Sequence, residues 1–256
     1  MNSRGKLALI VIISMVLLTP TYALTSVTFF TNAPRIHLRS GVSSNWSGYA
    51  VETNLASPQM GSVSDVKGSW TVPAVDCSAT PSAYSSFWVG IDGYASSTVE
   101  QTGTDSDCSS GVPKYYAWYE MYPKFPVNLK MTISPGDLMT GEVQFIGKGS
   151  FRITITDTTT GATFTTTQKS TRAQRSSAEW VAEAPSSSGG VLPLANFGTV
   201  NFQNAQVTIN GITGTINNGT WQNDAITMTT QSGTVKAQPS ALSTDGSSFS
   251  VTWRHS

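Results

Sequence analysis

Few side chains in this 256-residue sequence can move a proton or attack a bond. Its two histidines, His37 and His255, lie in the N-terminal lead-in and one residue from the end. A Ser–His–acid triad would have to draw on one of those termini, which makes it a poor reading despite 35 serines. The two cysteines, Cys77 and Cys108, suit a disulfide better than a Cys–His pair. Zinc sites gather Cys and His at close spacing, and no such cluster occurs. Asp105 and Asp107 could contribute to a calcium site, but their loop is poor in glycine. There is no glycine-rich phosphate loop of the usual spacing. The expectation is catalysis without cofactor or metal, by carboxylates, amides or aromatic hydroxyls. Paired carboxylates would serve acid proteolysis or glycoside hydrolysis. The paired Asp-Thr/Ser-Gly turns of aspartic proteases are absent, and Ile91-Asp92-Gly93 is a single imperfect echo.

The elements that would carry such groups read as strands. Phe151-Arg-Ile-Thr-Ile-Thr, Val207-Thr-Ile-Asn, Ile226-Thr-Met-Thr and Phe249-Ser-Val-Thr-Trp253 alternate apolar and polar residues, so each buries one row and wets the other. Pro135-Gly136, Thr160-Gly161, Asn210-Gly211, Asn218-Gly219 and Asp245-Gly246 punctuate them as turns. No long 3.6-residue apolar stripe follows Gly41, so an all-β domain of two packed sheets or a barrel is expected. In Tyr116-Ala-Trp-Tyr-Glu-Met-Tyr122, strand parity puts Tyr116, Trp118, Glu120 and Tyr122 on one face. That face is either a concave aromatic surface carrying an acid or part of one hydrophobic core with Glu120 at a strand end.

Composition narrows the setting. Thirty-four threonines join the serines, and only 12% of residues are charged, against roughly 25% in an average soluble chain. All 15 acids lie at or after Glu52, whereas Arg4, Lys6, Arg35 and Arg39 precede Gly41. From Gly41 onward 11 basic residues face 15 acidic ones, which argues against a nucleic-acid partner. Arg4 and Lys6, the apolar run Leu7–Leu18 and Thr21-Tyr-Ala23 read as a signal peptide over residues 1–23. Residues 24–41 then form a basic lead-in or short pro-segment, and 42–256 a single domain. The expected protein is secreted, free of stable membrane association once the leader is cut, and a monomer by default. In an oxidising compartment Cys77 and Cys108 should pair, closing a 32-residue loop for about 3–4 kcal/mol. Asn45-Trp46-Ser47 and Asn218-Gly219-Thr220 are formal glycosylation patterns.

A resemblance separates the chemical alternatives. Asn45-Trp-Ser-Gly-Tyr49, Gly68-Ser-Trp-Thr-Val-Pro73, Phe87-Trp-Val-Gly-Ile-Asp-Gly93, Val99-Glu-Gln-Thr-Gly103, Tyr116-Ala-Trp-Tyr-Glu-Met-Tyr-Pro123, Ala178-Glu-Trp-Val-Ala-Glu183 and Leu192-Pro-Leu-Ala-Asn-Phe197 stand in an order that resembles the glutamic peptidases, or eqolisins. The resemblance implies a secreted, pepstatin-insensitive acid endopeptidase acting on polypeptides, built as a two-sheet antiparallel β-sandwich of the concanavalin A-like, jelly-roll type. It implies Gln101 and Glu183 as the catalytic pair, with Trp88, Asp92, Trp118, Glu120 and Tyr122 supporting them or lining the cleft. Where family members often continue Asp-Phe after the glutamate, this chain has Ala184-Pro185. The disulfide rests on chemistry alone, since relatives use other cysteine positions.

On this reading Glu183, ionised near pH 4 if it keeps the ordinary value of about 4.3, takes a proton from water and later returns it to the leaving amine. Gln101 donates N–H to the developing oxyanion without changing charge. Two alternatives stay open on the residues: a non-catalytic sandwich that binds sugar or protein through its aromatic face, and a glycoside hydrolase using Glu120 and Glu183.

Overall fold

A computed structural model describes residues 41–256. The expectations for the leader (1–23) and for the lead-in before Gly41 lie outside the described residues. Among the described residues there is no helix. The strands, in chain order, are β1 (Val42–Ser43), β2 (Trp46–Glu52), β3 (Val63–Thr71), β4 (Ser86–Ile91), β5 (Val99–Ser109), β6 (Val112–Tyr122), β7 (Val127–Asn128), β8 (Leu138–Gly147) and β9 (Ser150–Asp157). They continue as β10 (Thr163–Lys169), β11 (Ser177–Glu183), β12 (Ser186–Ser187), β13 (Gly190–Val191), β14 (Thr199–Ile209), β15 (Ile212–Gly214), β16 (Gln222–Thr229), β17 (Val235–Pro239) and β18 (Phe249–Trp253).

Hydrogen bonding runs unbroken along β10-β9-β8-β3-β14-β18-β17-β16-β2-β11-β4-β5-β6-β7. This ribbon doubles over, so that β3, β8 and β9 lie against β4, β5 and β11. The expected two-layer sandwich is present, with its layers joined edge to edge through β16 and β17. All pairings along the ribbon are antiparallel, and the short β1 adds a parallel contact to β16.

The alternation predicted from sequence sets what each layer buries. Phe151, Ile153 and Ile155 point inward from β9, while Thr154 and Thr156 face outward toward Thr165 and Thr163 of β10. Large rings fill the interlayer space: Trp70, Trp180, Phe87, Phe197 and Phe202 are all buried. Their polar edges are satisfied, the Trp70 indole donating to Thr104 Oγ1 at 2.8 Å and that of Trp180 to the Lys67 carbonyl at 2.8 Å. Glycine is required opposite Trp180, because a Cβ at Gly68 would lie 2.6 Å from its ring. Cys77 and Cys108 form the expected disulfide, their Cα atoms 5.3 Å apart. It ties the 72–85 connection to the far end of β5.

The interior also holds acids. Glu100 and Glu179 are fully buried; Ser170 and Thr98 beside the first, and Ser177 and the Tyr94 backbone beside the second, oppose the cost of burial without offsetting it. Burial, reinforced by the charge of Asp92, pushes Glu100 up to about 8. Burial also raises Glu179 well above the carboxylate range, with Asp92 and Glu52 adding to the rise. These groups hold protons more tightly folded than unfolded, where they titrate near pH 4. Their stabilising effect is therefore complete below about pH 4 and is lost as pH climbs through the folded values toward 8. Urea unfolding should show a midpoint that falls between pH 4 and pH 8, each tenfold gain in proton affinity on folding being worth about 1.4 kcal/mol. A midpoint that is level or rising over that range would contradict this account.

Candidate active site

Four adjacent strands, β11, β4, β5 and β6, carry the site on the layer face turned away from the main core. Register places Glu183 opposite Ser86, Ser86 opposite Asp105, and Asp105 opposite Tyr116. Four residues along β5 from Asp105, and so on the same face, Gln101 stands opposite Glu120. The next strand, β2, puts Trp46 beside Glu183. Trp46, Trp88, Trp118, Val99 and Val181 form an apolar cluster of their own, with Tyr116 and Tyr122 packed on it, separate from the interlayer core. The concave aromatic surface is thus realised, while Tyr115 and Tyr119, of opposite parity, pack on the core side.

The face is hollow. A cleft of ≈ 280 Å³ is lined by Gln101, Asp105, Asp107, Tyr116, Trp118, Glu120, Tyr122 and Glu183, with Trp46, Tyr84, Phe125 and Pro185 among its walls. Gly103 makes the floor possible. A Cβ there would lie 2.4 Å from the Phe87 carbonyl oxygen, 2.6 Å from Trp88 Cβ and 3.0 Å from Trp118 Cζ2, so only glycine lets β4 and the Trp118 ring close over β5. Trp88 is wholly buried and meets Trp46 edge to face, ring centroids 4.9 Å apart.

Glu183 closes β11 and is held from both sides. The Trp88 indole N–H donates to Oε2 at 2.8 Å, and Asn45 Nδ2 donates to Oε1 at 3.0 Å. Burial nevertheless dominates and pushes this carboxyl up to about 8, with the charges of Glu120 and Asp105 adding to the rise and the Trp88 and Trp46 indoles opposing it. The ordinary value of about 4.3 assumed from sequence is not kept: a nearly dry carboxylate loses its hydration. Gln101 Nε2 donates to Glu120 Oε2 at 2.5 Å, while its Oε1 is buried without a partner. The amide therefore keeps one N–H beyond the bond to Glu120, while its oxygen is closed off from the cleft.

The remaining expected residues divide. Trp118, Glu120 and Tyr122 line the cleft, whereas Trp88 is buried behind it and supports the site by holding Glu183. Asp92 does not line it. Its carboxylate accepts from the backbone N–H groups of Arg175 at 2.7 Å and Ser176 at 2.9 Å, pinning the segment that enters β11. Asp92 itself has φ of 72°, a left-handed turn that swings its side chain out of the strand row and away from the groove.

Sequence reasoning missed three features. Asn45 opens the first resembling motif and a glycosylation pattern but was given no role at the site; it is fully buried with its amide nitrogen on Glu183, which leaves no room for a glycan in the folded chain. Asp105 and Asp107, weighed as calcium ligands, are cleft residues: Trp118 Nε1 donates to Asp105 at 2.6 Å, and the Tyr116 hydroxyl to Asp107 at 2.8 Å. Burial raises Asp105 to about 6 and Asp107 well above its usual range, the latter further lifted by Asp105. Phe125 and Pro126, beyond β6, form an outer wall. Parity along Gln101–Asp107 could have found the two aspartates, whereas the only signal at Asn45 was its place at the head of a resembling motif.

A doubled-over β-ribbon with carboxylates and an amide on its concave face is the architecture of the glutamic peptidases. The sequence profile of the Peptidase A4 family matches residues 44–253, and the chain belongs to that family. It is 31% identical over 194 residues to Aspergillopepsin-2 of Aspergillus niger, an alignment covering 67% of this chain and 66% of that protein. The chain thus spans just under two thirds of that relative's length. It also resembles two solved structures. Aspergilloglutamic peptidase from Aspergillus niger is 32% identical with TM-score 0.60, over 67% of this chain and 99% of that one. Scytalido-glutamic peptidase with a peptide-based transition state analog is 26% identical with TM-score 0.67, over 83% and 99%.

Gly103→Ala tests the packing of the floor. It should lower unfolding stability by about 1–3 kcal/mol and change the near-ultraviolet circular dichroism of Trp88 and Trp118. A variant as stable as the parent, with an unaltered spectrum, would show that the rings do not need this glycine.

Proposed function

We propose that this chain is a secreted acid endopeptidase that cleaves extended polypeptides lying in the concave groove, with Glu183 as the proton-transfer group and Gln101 as the oxyanion donor. One observation carries the reading: Glu183 and Gln101 line the same cleft, each held from outside and each with capacity toward its interior. The peptide-based analogue in scytalido-glutamic peptidase supports a polypeptide as occupant. The apparent leader over residues 1–23 and the disulfide support export.

In the proposed cycle, water attacks the scissile carbonyl as Glu183 takes its proton, and the C–O bond forms. The oxygen of the former carbonyl becomes an oxyanion that accepts the free N–H of Gln101. Glu183 then gives its proton to the amide nitrogen, the C–N bond breaks, and an acid and an amine leave. The proton count closes on one carboxyl. Glu120 orients the Gln101 amide, and Trp118 and Tyr122 offer apolar surface to the chain.

The attack step needs Glu183 ionised, and burial opposes this. The charges of Glu120 and Asp105 add to that opposition. A water and a peptide in the groove replace part of the lost hydration. Activity at acid pH therefore requires the bound chain and its water to bring this carboxyl far below about 8, and the acid setting itself rests on the family resemblance.

Glu183→Gln and Gln101→Ala should each reduce cleavage of denatured protein at pH 2–5 by at least about a hundredfold with the fold retained. Robust cleavage by either variant overturns its assignment. Release of reducing sugar without peptide cleavage would instead support a glycoside hydrolase. The acid limb of kcat/KM reports ionisation of the essential base in the free enzyme. Activity that appears only as pH approaches 8, with none at pH 3–5, would exclude an acid peptidase.

A further inference from the structure

Among the described residues, Asn45 is the one fully buried amide that touches Glu183, and its orientation is determined by its neighbours. The backbone N–H groups of Asn45 and Trp46 both donate to Ser43 Oγ, at 3.1 and 2.9 Å. A serine hydroxyl has two lone pairs and one hydrogen, so with both lone pairs used its hydrogen must go elsewhere. It goes to Asn45 Oδ1, 3.3 Å away. That bond decides which end of the amide is which: oxygen toward Ser43, nitrogen toward Glu183 Oε1 at 3.0 Å. The main chain locks the same contact, since the Ala184 N–H donates to the Asn45 carbonyl at 2.8 Å. Asn45 therefore cannot move away from Glu183 without breaking the pairing of β2 with β11.

We propose that the Ser43–Asn45 pair is a positioning device that aims Glu183 into the cleft and favours its ionised form. The inference rests on the reading of Glu183 as the proton-transfer group. The groups facing that carboxyl divide by sign. From β6 and β5, Glu120 and Asp105 oppose its charge; from β4, Trp88 donates to Oε2. Asn45, just before β2, is the donor for Oε1. Removing it takes the direct amide donor from Oε1 and leaves only the Trp88 and Trp46 indoles to oppose burial, which favours the protonated form. An aspartate at 45 would bring a second carboxyl against the first, and a hydroxyl or methyl there would not reach. The amide length and its fixed orientation are both needed.

The test follows the Glu183 side-chain carboxyl by 13C NMR across pH, its resonance assigned from the loss of signal in Glu183→Gln. In Asn45→Ala the Glu183 titration should move up in pH by roughly 1, the size expected for losing one hydrogen bond to a charged group. Ser43→Ala should move it less, in the same direction. The acid limb of kcat/KM should move with the titration, and KM should change little. An unmoved Glu183 titration in folded Asn45→Ala overturns the proposal. Should Asn45→Ala not fold, Ser43→Ala decides by the same readout, an unmoved titration again overturning it. The reading of function fails separately: if Glu183→Gln still cleaves protein while the titration moves as expected, the positioning stands and the peptidase role of Glu183 falls.

Discussion

A carboxylate at the end of an interior strand, with strands on both sides, must be met by donors from both or give up its charge. In this molecule Trp88 supplies one from β4 and Asn45 the other from the start of β2. Much of the surrounding architecture serves to bring those two to Glu183. The β2–β11–β4 order puts the carboxyl between them, and the opposed register of Trp46, Glu183 and Ser86 sets the level at which they meet. Because the donors are neutral, they oppose the cost of burial without cancelling it, and the balance favours the protonated form.

The layer that carries this row has two dissimilar faces. Toward the interlayer core it presents Tyr49, Val51, Phe87, Val89, Ile91, Ala178, Trp180 and Ala182, a packing surface with few polar atoms. The other face presents Trp46, Trp88, Trp118 and the acids of the cleft. Alternation alone would make a polar outer face flat and wet. Here the rings lean over Gly103 and the walls at Tyr84, Phe125 and Pro185 rise around it, so a solvent face becomes a groove dry enough to shift the pKa of what it holds.

Protons run through the stability of the molecule as well as its chemistry. Glu100 and Glu179 lie inside with too few donors to offset burial, and Asp105 and Asp107 stand two residues apart on one face, each raised by burial. In neutral water such an arrangement is costly; in acid these groups are protonated, and the cost disappears. The sparse surface charge is consistent with the same setting, because a lysine-rich surface would repel itself once the carboxylates were neutralised.

Strand content, the two-layer core, the aromatic row on β6 and the disulfide were legible in the residues, since parity, turn chemistry and the presence of two cysteines depend on local pattern. The ordered motifs pointed to Gln101 and Glu183 through resemblance; spacing alone could not have chosen Glu183 over Glu179, which share a face of β11. Tertiary structure decided what each acid experiences. Asp92 left the cleft because a left-handed turn aims it at residues 175 and 176, and Asn45 joined the site because the fold brings it to Glu183 across 138 positions of sequence. Which face a side chain takes depends on its own strand, so sequence determined it. How dry that face becomes, and which distant donors reach it, depends on how the ribbon doubles over, and only the folded chain could decide that.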